Sequence, residues 1–421
     1  MRSSRGGRAT PATVPRVVVL LVLAVVAIAA RGATDAVARP YPADRLVRRH
    51  LLSLGERVLV LSGGALIDGM GGAPLENAVV VIRGERVVAV GRAGEVAIPS
   101  RATVVELRGA SVLPGIINAH VHSGYRESRL AAWAHDGVTT VRDLCGPEDY
   151  ALVDRLSTDP SLARVIAAGP FVTVPGGYPI VPWGVTNAVT ATTAEEARTA
   201  VNRLVDGGAD LIKIAIESGA DFGRWIPTLS LEQGTAVTEA AHARWVPVSA
   251  HVTTSSDLPR ALDAGVDDIA HMVVDDPSDA LIARVVRDNV IWVPTLELWH
   301  WVDAGHRTRA VANLRRFVRA GGTVALGTDF NGYDAPFQLG MPIIEMELMQ
   351  EAGMTPMQII VAATSRAAWA CNRQNDLGRV APGWIADLIV VDGDPLEDIH
   401  ALQNVRLVVR SGTIIRNDGF D

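Results

Sequence analysis

Two histidines stand one residue apart at the end of an apolar run in the first half of the chain. His120 and His122 close the run that covers residues 115–121. In a β-strand, residues i and i+2 point to the same face, so both imidazoles can reach one metal ion. The spacing therefore predicts a chelating pair at the end of a strand.

Three more residues of metal-binding types end later apolar runs: His251, His271 and Asp329. A single histidine is more often structural than a ligand, but two of them on adjacent strands beside a chelating pair favour a shared site. A carboxylate at Asp329 can bind a metal ion and can also accept a proton from water. This donor set suits Zn²⁺ or a similar ion, because Mg²⁺ and Ca²⁺ prefer more oxygen ligands.

Lys213 lies inside an apolar run, residues 210–216, which is an unfavourable place for an ammonium group. An unpaired buried ammonium is costly, so the lysine must be neutral or paired. A neutral lysine can react with carbon dioxide to form a carbamate, whose oxygens can bridge two cations. The alternative is an ion pair with a buried carboxylate such as Glu217.

The elements that must position these residues form an alternating pattern over residues 113–378. Eight apolar, strand-like runs alternate with helix-like stretches such as 193–207 and 231–244. Strands that are apolar on both faces suit a parallel sheet covered by helices, and eight of them predict an α/β fold with a (β/α)8 TIM barrel. The competing fold is a doubly wound open sheet, which would carry a Gly-rich loop after its first strand. In a barrel, catalytic residues come from the carboxyl ends of the strands, where the candidate ligands lie.

Short runs rich in Val and Ile, separated by glycine turns, occupy residues 56–112 and 379–421. Neither segment alone offers enough strands to bury a core. We therefore expect one small composite β-sandwich domain built from both ends of the chain, beside a barrel over residues 113–378.

The composition is that of an ordinary globular enzyme, with 48% hydrophobic and 20% charged residues. The net charge of −7 and the absence of a basic cluster in the body of the chain argue against nucleic-acid binding. The two cysteines, Cys145 and Cys371, exclude a disulfide scaffold and a thiolate zinc site. Two free thiols are the simpler interpretation, with a single bridge as the alternative.

The N-terminus has the composition of a secretory signal peptide. Arginines precede an apolar run over residues 17–30, and an Ala-x-Ala sequence follows at Ala36 and Ala38. A helix over that run is too short for about 30 Å of hydrocarbon. The pattern predicts a signal peptide over residues 1–38 and a secreted or periplasmic protein, with an uncleaved membrane anchor as the alternative.

Together these residues resemble the amidohydrolase superfamily with a binuclear metal centre. The resemblance rests on the run from Leu113 to His122, the strand-four lysine, the two single histidines and the Gly-Thr-Asp sequence at residues 327–329. Three further stretches resemble the imidazolonepropionase-like branch, which includes metal-dependent prolidases and Xaa-amino-acid carboxypeptidases: residues 137–143, 353–356 and 386–396. The resemblance covers about residues 57–415.

The resemblance implies two divalent metal ions, Zn²⁺ being the expected one, bridged by an N6-carboxylated Lys213. The implied ligands are His120, His122 and Asp329 for one ion, and His251 and His271 for the other. Imidazolonepropionase itself and the deaminases of the superfamily are expected to use one metal and no bridging lysine. Lys213 therefore argues against those activities.

The implied reaction is hydrolysis of a non-aromatic carbon–nitrogen amide bond in a small N-acyl amino acid or dipeptide. A hydroxide bridging the two metals would attack the carbonyl, and Asp329 would carry the proton to the leaving amine. Two alternatives stay open: a lactone or phosphoester hydrolase with the same centre, and a catalytically silent barrel that only binds a ligand. The expected partner is a small molecule, without nucleic acid; a membrane enters only if the N-terminal segment is uncleaved, and a homo-oligomer is compatible with the sequence.

The loops after the strands supply the candidate substrate-binding residues. These are Tyr178, Trp183, Arg224, His300 and Tyr333. Aromatic residues concentrated in a chain that is only 5% aromatic suggest a pocket for an apolar or aromatic group. Arg224 or His300 can hold a substrate carboxylate. Prolidase-like members often carry Gly-Gly-His after strand three, whereas residues 176–178 read Gly-Gly-Tyr.

Overall fold

The computed structural model describes residues 57–332 and 335–420. The predicted signal peptide, residues 1–38, and the candidate substrate-binding residue Tyr333 lie outside the described residues. Within the described ranges, no helix combines the length and the apolar character needed to cross a membrane.

Five strands open the described part of the chain. They are β1 (Val58–Leu66), β2 (Leu75–Arg83), β3 (Arg86–Arg92), β4 (Thr103–Glu106) and β5 (Ser111–Pro114). β2 pairs antiparallel with β1 and β3, whereas β4 and β5 run parallel to β1. Their Val- and Ile-rich sequences suit extended backbone, because β-branched side chains pack well on a pleated surface.

The central region contains nine strands that pair only in parallel. They are β6 (Ile116–Val121), β7 (Val138–Asp143), β8 (Arg164–Ala167), β9 (Val172–Thr173), β10 (Val189–Thr190), β11 (Ile212–Ala215), β12 (Val248–His251), β13 (Asp268–Ala270) and β14 (Ile291–Val293). β6, β7 and β8 form one sheet, and the other six form a second in the order β10-β9-β11-β12-β13-β14. Nearly every residue of β6 to β9 and of β11 to β14 is buried, as strands covered on both faces should be.

Helices follow most of these strands. They are α1 (Glu127–His135), α2 (Tyr150–Thr158), α3 (Ile180–Trp183), α4 (Ala194–Gly207), α5 (Leu231–His242), α6 (Leu258–Ala264), α7 (Asp279–Arg287), α8 (Leu296–Val302), α9 (Ala304–Arg319), α10 (Ile343–Glu351), α11 (Pro356–Val361) and α12 (Ala367–Ala370). Local signals explain where they begin. Ser230 and Gln233 form a capping box at α5, and Thr193 caps α4 by accepting the Glu196 N–H.

The last strands return to the sheet of the first ones. These are β15 (Leu388–Val391), β16 (Val405–Arg410) and β17 (Thr413–Asn417). β15 pairs antiparallel with β5, which gives a single eight-stranded sheet in the order β17-β16-β15-β5-β1-β2-β3, with β4 beside β1. We expected the barrel to begin at residue 113. All four residues of β5, including Leu113 and Pro114, belong instead to this sheet.

The segment 323–328, expected as an eighth barrel strand, lacks a continuous ladder but bonds to a strand on each side. The Ala325 N–H donates to the carbonyl of Trp292 in β14 over 3.0 Å, and the Ala119 N–H of β6 donates to the carbonyl of Leu326 over 2.8 Å. The segment therefore links the two parallel sheets. The sequence pattern did not anticipate β10.

A buried ion pair ties several of the parallel strands together. Arg142 in β7 donates to both carboxylate oxygens of Asp268 in β13, over 2.8 and 3.1 Å, and neither side chain is more than 1% exposed. Arg142 also donates to the carbonyl of Ala119, over 2.5 Å, and Ser249 in β12 donates to Asp268. Full hydrogen bonding is what allows such charges to stay buried.

We expect Asp268→Asn to destabilise the protein by about 3–5 kcal/mol, because it leaves the Arg142 guanidinium buried without its counter-charge. The free energy of unfolding in urea measures the effect. Asp279→Asn, which removes an exposed partner of Arg316, is the control and should change stability little. Equal effects from the two variants would contradict a dominant role for the buried pair.

Candidate metal centre

The expected ligands come from five different parallel segments. They are His120 and His122 at the end of β6, Lys213 in β11, His251 at the end of β12, His271 directly after β13 and Asp329 after the segment 323–328. Parallel strands place their carboxyl ends at the same side, so residues far apart in sequence meet there.

Measured distances show that the five residues other than the lysine form a cluster. Asp329 Oδ1 lies 2.9 Å from Nε2 of both His120 and His122. The ring centroid of His271 lies 4.9 Å from that of His120 and 4.6 Å from that of His251. One ligand atom each from His120, His271 and Asp329 lies within 4.8 Å of the other two. The cluster is compact enough to surround metal ions.

Left-handed backbone marks three residues of this region. His271 has φ +74°, Asp329 has φ +62° and Thr295, at the start of α8, has φ +49°. Non-glycine residues rarely adopt this conformation, and they keep it where the surroundings enforce it, often at functional sites. Gly332 lies directly beside Asp329, since a Cβ there would be 2.2 Å from Oδ2.

Gly327 allows the segment before Asp329 to approach β6 closely. A Cβ at this position would lie 2.5 Å from Val293 Cγ1 and 2.8 Å from His120 Cβ. Any larger residue would therefore push the segment away from the strand that carries His120.

Hydrogen bonds from residues that sequence reasoning missed hold the ligands. Asn118 donates to Thr328 Oγ1 over 2.9 Å and accepts from the Thr328 N–H, and His271 Nδ1 is hydrogen-bonded with Thr295 Oγ1 at 2.9 Å. Asn118 shares a strand face with His120, so the two-residue period was a usable signal. Thr295 had no such signal, because it belongs to the loop after a different strand.

Several atoms of the cluster are buried without a hydrogen-bond partner in the described part of the chain. They are both ring nitrogens of His120 and of His251, Lys213 Nζ and Asp329 Oδ1. The short approach of Asp329 to His120 lacks the angles of a hydrogen bond. Buried polar atoms are nearly always paired, so such a group needs an explanation. Imidazole nitrogens and a carboxylate fit a divalent transition metal or zinc.

The protonation states suit metal binding. Burial holds the pKa of His120, His251 and His271 well below the usual range, so their imidazoles are neutral and keep a free lone pair. Burial alone would raise the pKa of the Asp329 carboxyl, but the adjacent rings of His120 and His122 outweigh it and leave that pKa well below normal. Neutral imidazoles and an ionised carboxylate are the ligand forms.

Lys213 is fully buried, and its ammonium lies 5.4 Å from the ring centroid of Phe171. Burial lowers its pKa to about 7; Asp268 opposes the shift and Arg142 adds to it. A large fraction of this lysine is therefore neutral near pH 7.

The alternative expectation, an ion pair between Lys213 and Glu217, is wrong. The Glu217 carboxylate accepts from Thr253 Oγ1 over 2.5 Å and from the Gly219 N–H over 2.7 Å. Lys213 Nζ has no hydrogen-bond partner among residues 57–332 and 335–420. Glu217 is thus engaged elsewhere.

A sequence profile of the amidohydrolase family matches residues 111–415. The chain belongs to the amidohydrolase family. It is therefore an enzyme, a hydrolase that acts on carbon–nitrogen bonds. The family generally uses divalent metals, and the group formed by His120, His271 and Asp329 is consistent with that.

Similar proteins support the resemblance seen in the motifs. Ochratoxinase of Aspergillus niger is 26% identical, over 92% of this chain and 93% of its own length. Imidazolonepropionase of Streptomyces coelicolor is 28% identical, over 76% of this chain and 86% of its own. The solved structure of a Xaa-Pro dipeptidase with methionine bound in the active site has a TM-score of 0.73 and 26% identity, covering 86% of this chain and all of that one. The expected superfamily is confirmed.

A cavity of about 370 Å³ opens onto the ligand cluster of this amidohydrolase. Five of the candidate ligands line it, together with an aromatic group that consists of Phe171, Tyr178 and Trp183. This volume lies within the range of small-molecule pockets. The aromatic side gives the cavity an apolar surface next to polar ligands.

Only two of the candidate substrate-binding residues in the described part of the chain line the cavity. Tyr178 and Trp183 line the cavity, and Trp183 is half-exposed at its edge. Arg224 and His300 are exposed and do not line it, and the His300 ring packs edge-on against Trp301. The two candidates that line the cavity therefore both lie in the segment between β9 and β10, residues 174–188, which we call the strand-three loop.

Both cysteines of the amidohydrolase are free thiols, so the alternative of a single bridge is wrong. Cys145 lines the cavity and Cys371 is buried elsewhere. Burial raises the pKa of each thiol to about 12. Both are therefore protonated and poor nucleophiles at neutral pH.

Two buried carboxyl groups lie behind the loop that carries Thr295. The Glu297 N–H donates to the Glu345 carboxylate over 2.7 Å, which joins the start of α8 to α10. Burial raises the pKa of Glu297 to about 7 and that of Glu345 to about 8, and the nearby Glu297 carboxylate adds to the shift of Glu345. At neutral pH, Glu345 therefore holds a proton in the folded protein.

The raised pKa of Glu345 predicts that stability decreases with rising pH. The folded state keeps a proton that the unfolded state releases near pH 4.5, so the stabilisation present below that pH is lost between about pH 4.5 and 8. One such proton changes the free energy of unfolding by up to about 1.4 kcal/mol per pH unit. Glu345→Gln, whose amide can still accept the Glu297 N–H, should flatten the pH profile of urea unfolding.

Exposed Glu239 provides the control for this experiment, because its replacement by Gln should leave the profile unchanged. An unchanged slope in Glu345→Gln would show that the carboxyl ionises normally in the folded protein.

Proposed function

We propose that this amidohydrolase uses two metal ions to hydrolyse the amide bond of a small N-acyl amino acid or dipeptide. The observation that carries the proposal is the set of buried ligand atoms without hydrogen-bond partners around Asp329. In the described part of the chain these atoms do not form hydrogen bonds with one another. A bound cation would give them a partner.

In this proposal, one ion binds His120, His122 and Asp329, and the other binds His251 and His271. The short contacts of Asp329 with His120 and His122 support the first group. Lys213 would be N6-carboxylated and bridge the ions, which is supported by its burial and its lowered pKa. Four imidazoles with few oxygen ligands favour Zn²⁺.

When bound, the metals would lower the pKa of water and polarise the substrate carbonyl. Asp329 would take a proton from the attacking water and deliver it to the leaving nitrogen, first as a general base and then as a general acid. Its Oδ1 faces His120 and His122, so Oδ2, beside Gly332, is the oxygen placed for proton transfer. Gly332 leaves room there because it has no side chain.

We propose that residues 113–378 form a closed (β/α)8 barrel and that residues 56–112 with 379–421 form a composite β-sandwich domain. Hydrogen bonds of the segment 323–328 to β14 and β6 support closure on one side. On the other side, the Asp210 N–H donates to the carbonyl of Ala167 in β8, over 2.9 Å, just before β11. The ligands would then surround the mouth of the barrel.

The substrate proposal rests on the cavity and on relatives. Tyr178 and Trp183 would contact an apolar or aromatic group of the substrate. The similarity to a Xaa-Pro dipeptidase and to ochratoxinase favours an amide or dipeptide over a lactone or phosphoester. Arg224, His300 and Tyr333 remain candidates for binding the distal part of the substrate.

We propose that the protein is exported, because residues 1–38 have the composition of a signal peptide. Export would place catalysis outside the cytoplasm. N-terminal sequencing of the mature protein tests this, with a start after residue 38 expected and an intact N-terminus contradicting cleavage.

A substrate panel tests the proposed reaction directly. It contains N-acyl amino acids, Xaa-Pro dipeptides, lactones and phosphotriesters, assayed after addition of Zn²⁺ and carbonate. We expect turnover of at least one amide and about two metal equivalents per chain. No turnover of any amide would contradict the proposal. Less than one metal equivalent, with no gain on adding zinc, would contradict the proposed two-metal centre.

Asp329→Asn should reduce kcat by about 10²- to 10⁴-fold, since the amide cannot accept the proton that the carboxylate transfers. Its oxygen can still face the metal, so metal content should fall much less than activity. Metal analysis and steady-state kinetics measure the two quantities. Exposed Asp276→Asn is the control. If metal content and activity fell by the same factor, Asp329 would act only as a metal ligand and not in proton transfer.

A further inference from the structure

Among the four clustered histidines, His251 is the one whose orientation is least explained by polar contacts. Neither of its ring nitrogens has a hydrogen-bond partner in the described ranges. His271, by contrast, is held by Thr295, and His122 lies 2.9 Å from Asp329. Ligand histidines are usually oriented by such a bond through the nitrogen that does not bind metal. Something else must therefore fix the plane of His251.

The nearest acidic group does not supply that bond. Glu217 Oε2 lies 3.6 Å from His251 Nε2, beyond hydrogen-bond distance. The same oxygen accepts the Thr253 hydroxyl over 2.5 Å. Glu217 is therefore committed to Thr253.

The Tyr178 ring lies flat against the His251 imidazole. The centroids are 3.9 Å apart and the planes differ by 18°. Tyr178 is only 7% exposed, and its ring also packs against Phe171 and Phe222, with centroid distances of 5.9 and 6.1 Å. Phe171 and Phe222 therefore pack against the Tyr178 ring, and one face of that ring covers the His251 imidazole.

The backbone just before Tyr178 packs closely against its neighbours. A Cβ at Gly177 would lie 2.5 Å from Thr173 Oγ1 and 2.9 Å from the Pro227 carbonyl, so the backbone is wedged between two neighbouring elements. Gly176 adopts φ +72°, which glycine tolerates. The backbone next to Tyr178 is therefore closely packed against neighbouring segments.

We propose that Tyr178 is a positioning residue that orients His251 for the second metal ion by ring stacking, in place of a hydrogen bond. The inference rests on the proposed metal centre and goes beyond it, because it assigns to a cavity-wall residue the task of holding one ligand. A ring stacked this closely blocks rotation of the imidazole out of its plane, because the turning ring would collide with the tyrosine face. Hydrophobic volume alone does not restrict it in this way.

The test compares replacements that separate the ring from its hydroxyl. Tyr178→Phe keeps the stacking face, whereas Tyr178→Leu removes it. The matched control is Trp183→Leu, which removes an aromatic ring from the edge of the same cavity, where that ring packs against Phe222. Each purified variant is stripped of metal and titrated with Co²⁺ against a competing chelator, and the visible absorption spectrum of the bound cobalt is recorded.

We expect Tyr178→Phe and Trp183→Leu to bind two Co²⁺ ions with the affinities and spectrum of the wild type. Tyr178→Leu should weaken the second ion about 10-fold and change its absorption spectrum, as loss of an orienting partner does at metal sites. Wild-type affinity and spectrum in folded Tyr178→Leu would overturn the inference. Loss of affinity in Tyr178→Phe as well would assign the effect to the hydroxyl and also overturn it.

Tyr178→Met, a flexible apolar replacement, provides the second variant if the leucine variant fails to fold, and the same outcomes apply to it. The proposed function fails separately: a wild-type protein that binds fewer than two Co²⁺ ions contradicts the metal centre and the inference together. Two bound ions in the wild type with no effect of removing the ring contradict the inference alone.

Discussion

The structure depends on the burial of several ionisable groups that lie together without enough hydrogen bonds to satisfy them, which is energetically unfavourable. Imidazole nitrogens, a carboxylate oxygen and a lysine nitrogen meet at the carboxyl ends of parallel strands. Water would satisfy such atoms, but burial excludes most of it. The protein keeps this arrangement because a strongly bonded scaffold surrounds it.

That scaffold has a polar layer directly below the candidate ligands. Arg142 and Asp268 form a fully bonded ion pair, which joins the strands that carry His120, His251 and His271. The contrast between the two layers is physical. Arg142 and Asp268 satisfy each other's charge, and such fully bonded networks are rigid. The candidate ligand atoms above them lack hydrogen-bond partners in the described residues and can therefore bind a cation.

The sequence predicted the role of a residue correctly where that role follows from the apolar run in which the residue lies. The His-x-His pair, the buried lysine and the strand-end residues His251, His271 and Asp329 were all recognisable from apolar runs and a period of two. The helices over 193–207 and 231–244 were recognisable as helix-like stretches that alternate with the apolar runs. Contacts between distant segments were not. Thr295 supports His271 from another loop, and Tyr178 covers His251 from the strand-three loop, so neither relation has a local pattern.

Similar reasoning explains the errors. The segment 323–328 reads as an ordinary strand, but its tight approach at Gly327 breaks the ladder, and glycine spacing does not reveal which neighbour comes close. The alternative pairing of Lys213 with Glu217 could not be decided from the sequence, because it depends on which side chains face the Glu217 carboxylate. The fold instead directs Glu217 to Thr253.

The sheet made from both ends of the chain has a consequence for biosynthesis. β1 and β5 are among the first strands to be made, yet β5 finds its antiparallel partner β15 only after most of the chain has been synthesised. Until then one edge of the early sheet exposes unpaired amide and carbonyl groups, which other extended chains can bind. Completion of this sheet is thus a late event of folding, and chains released before β15 would keep an open, aggregation-prone edge.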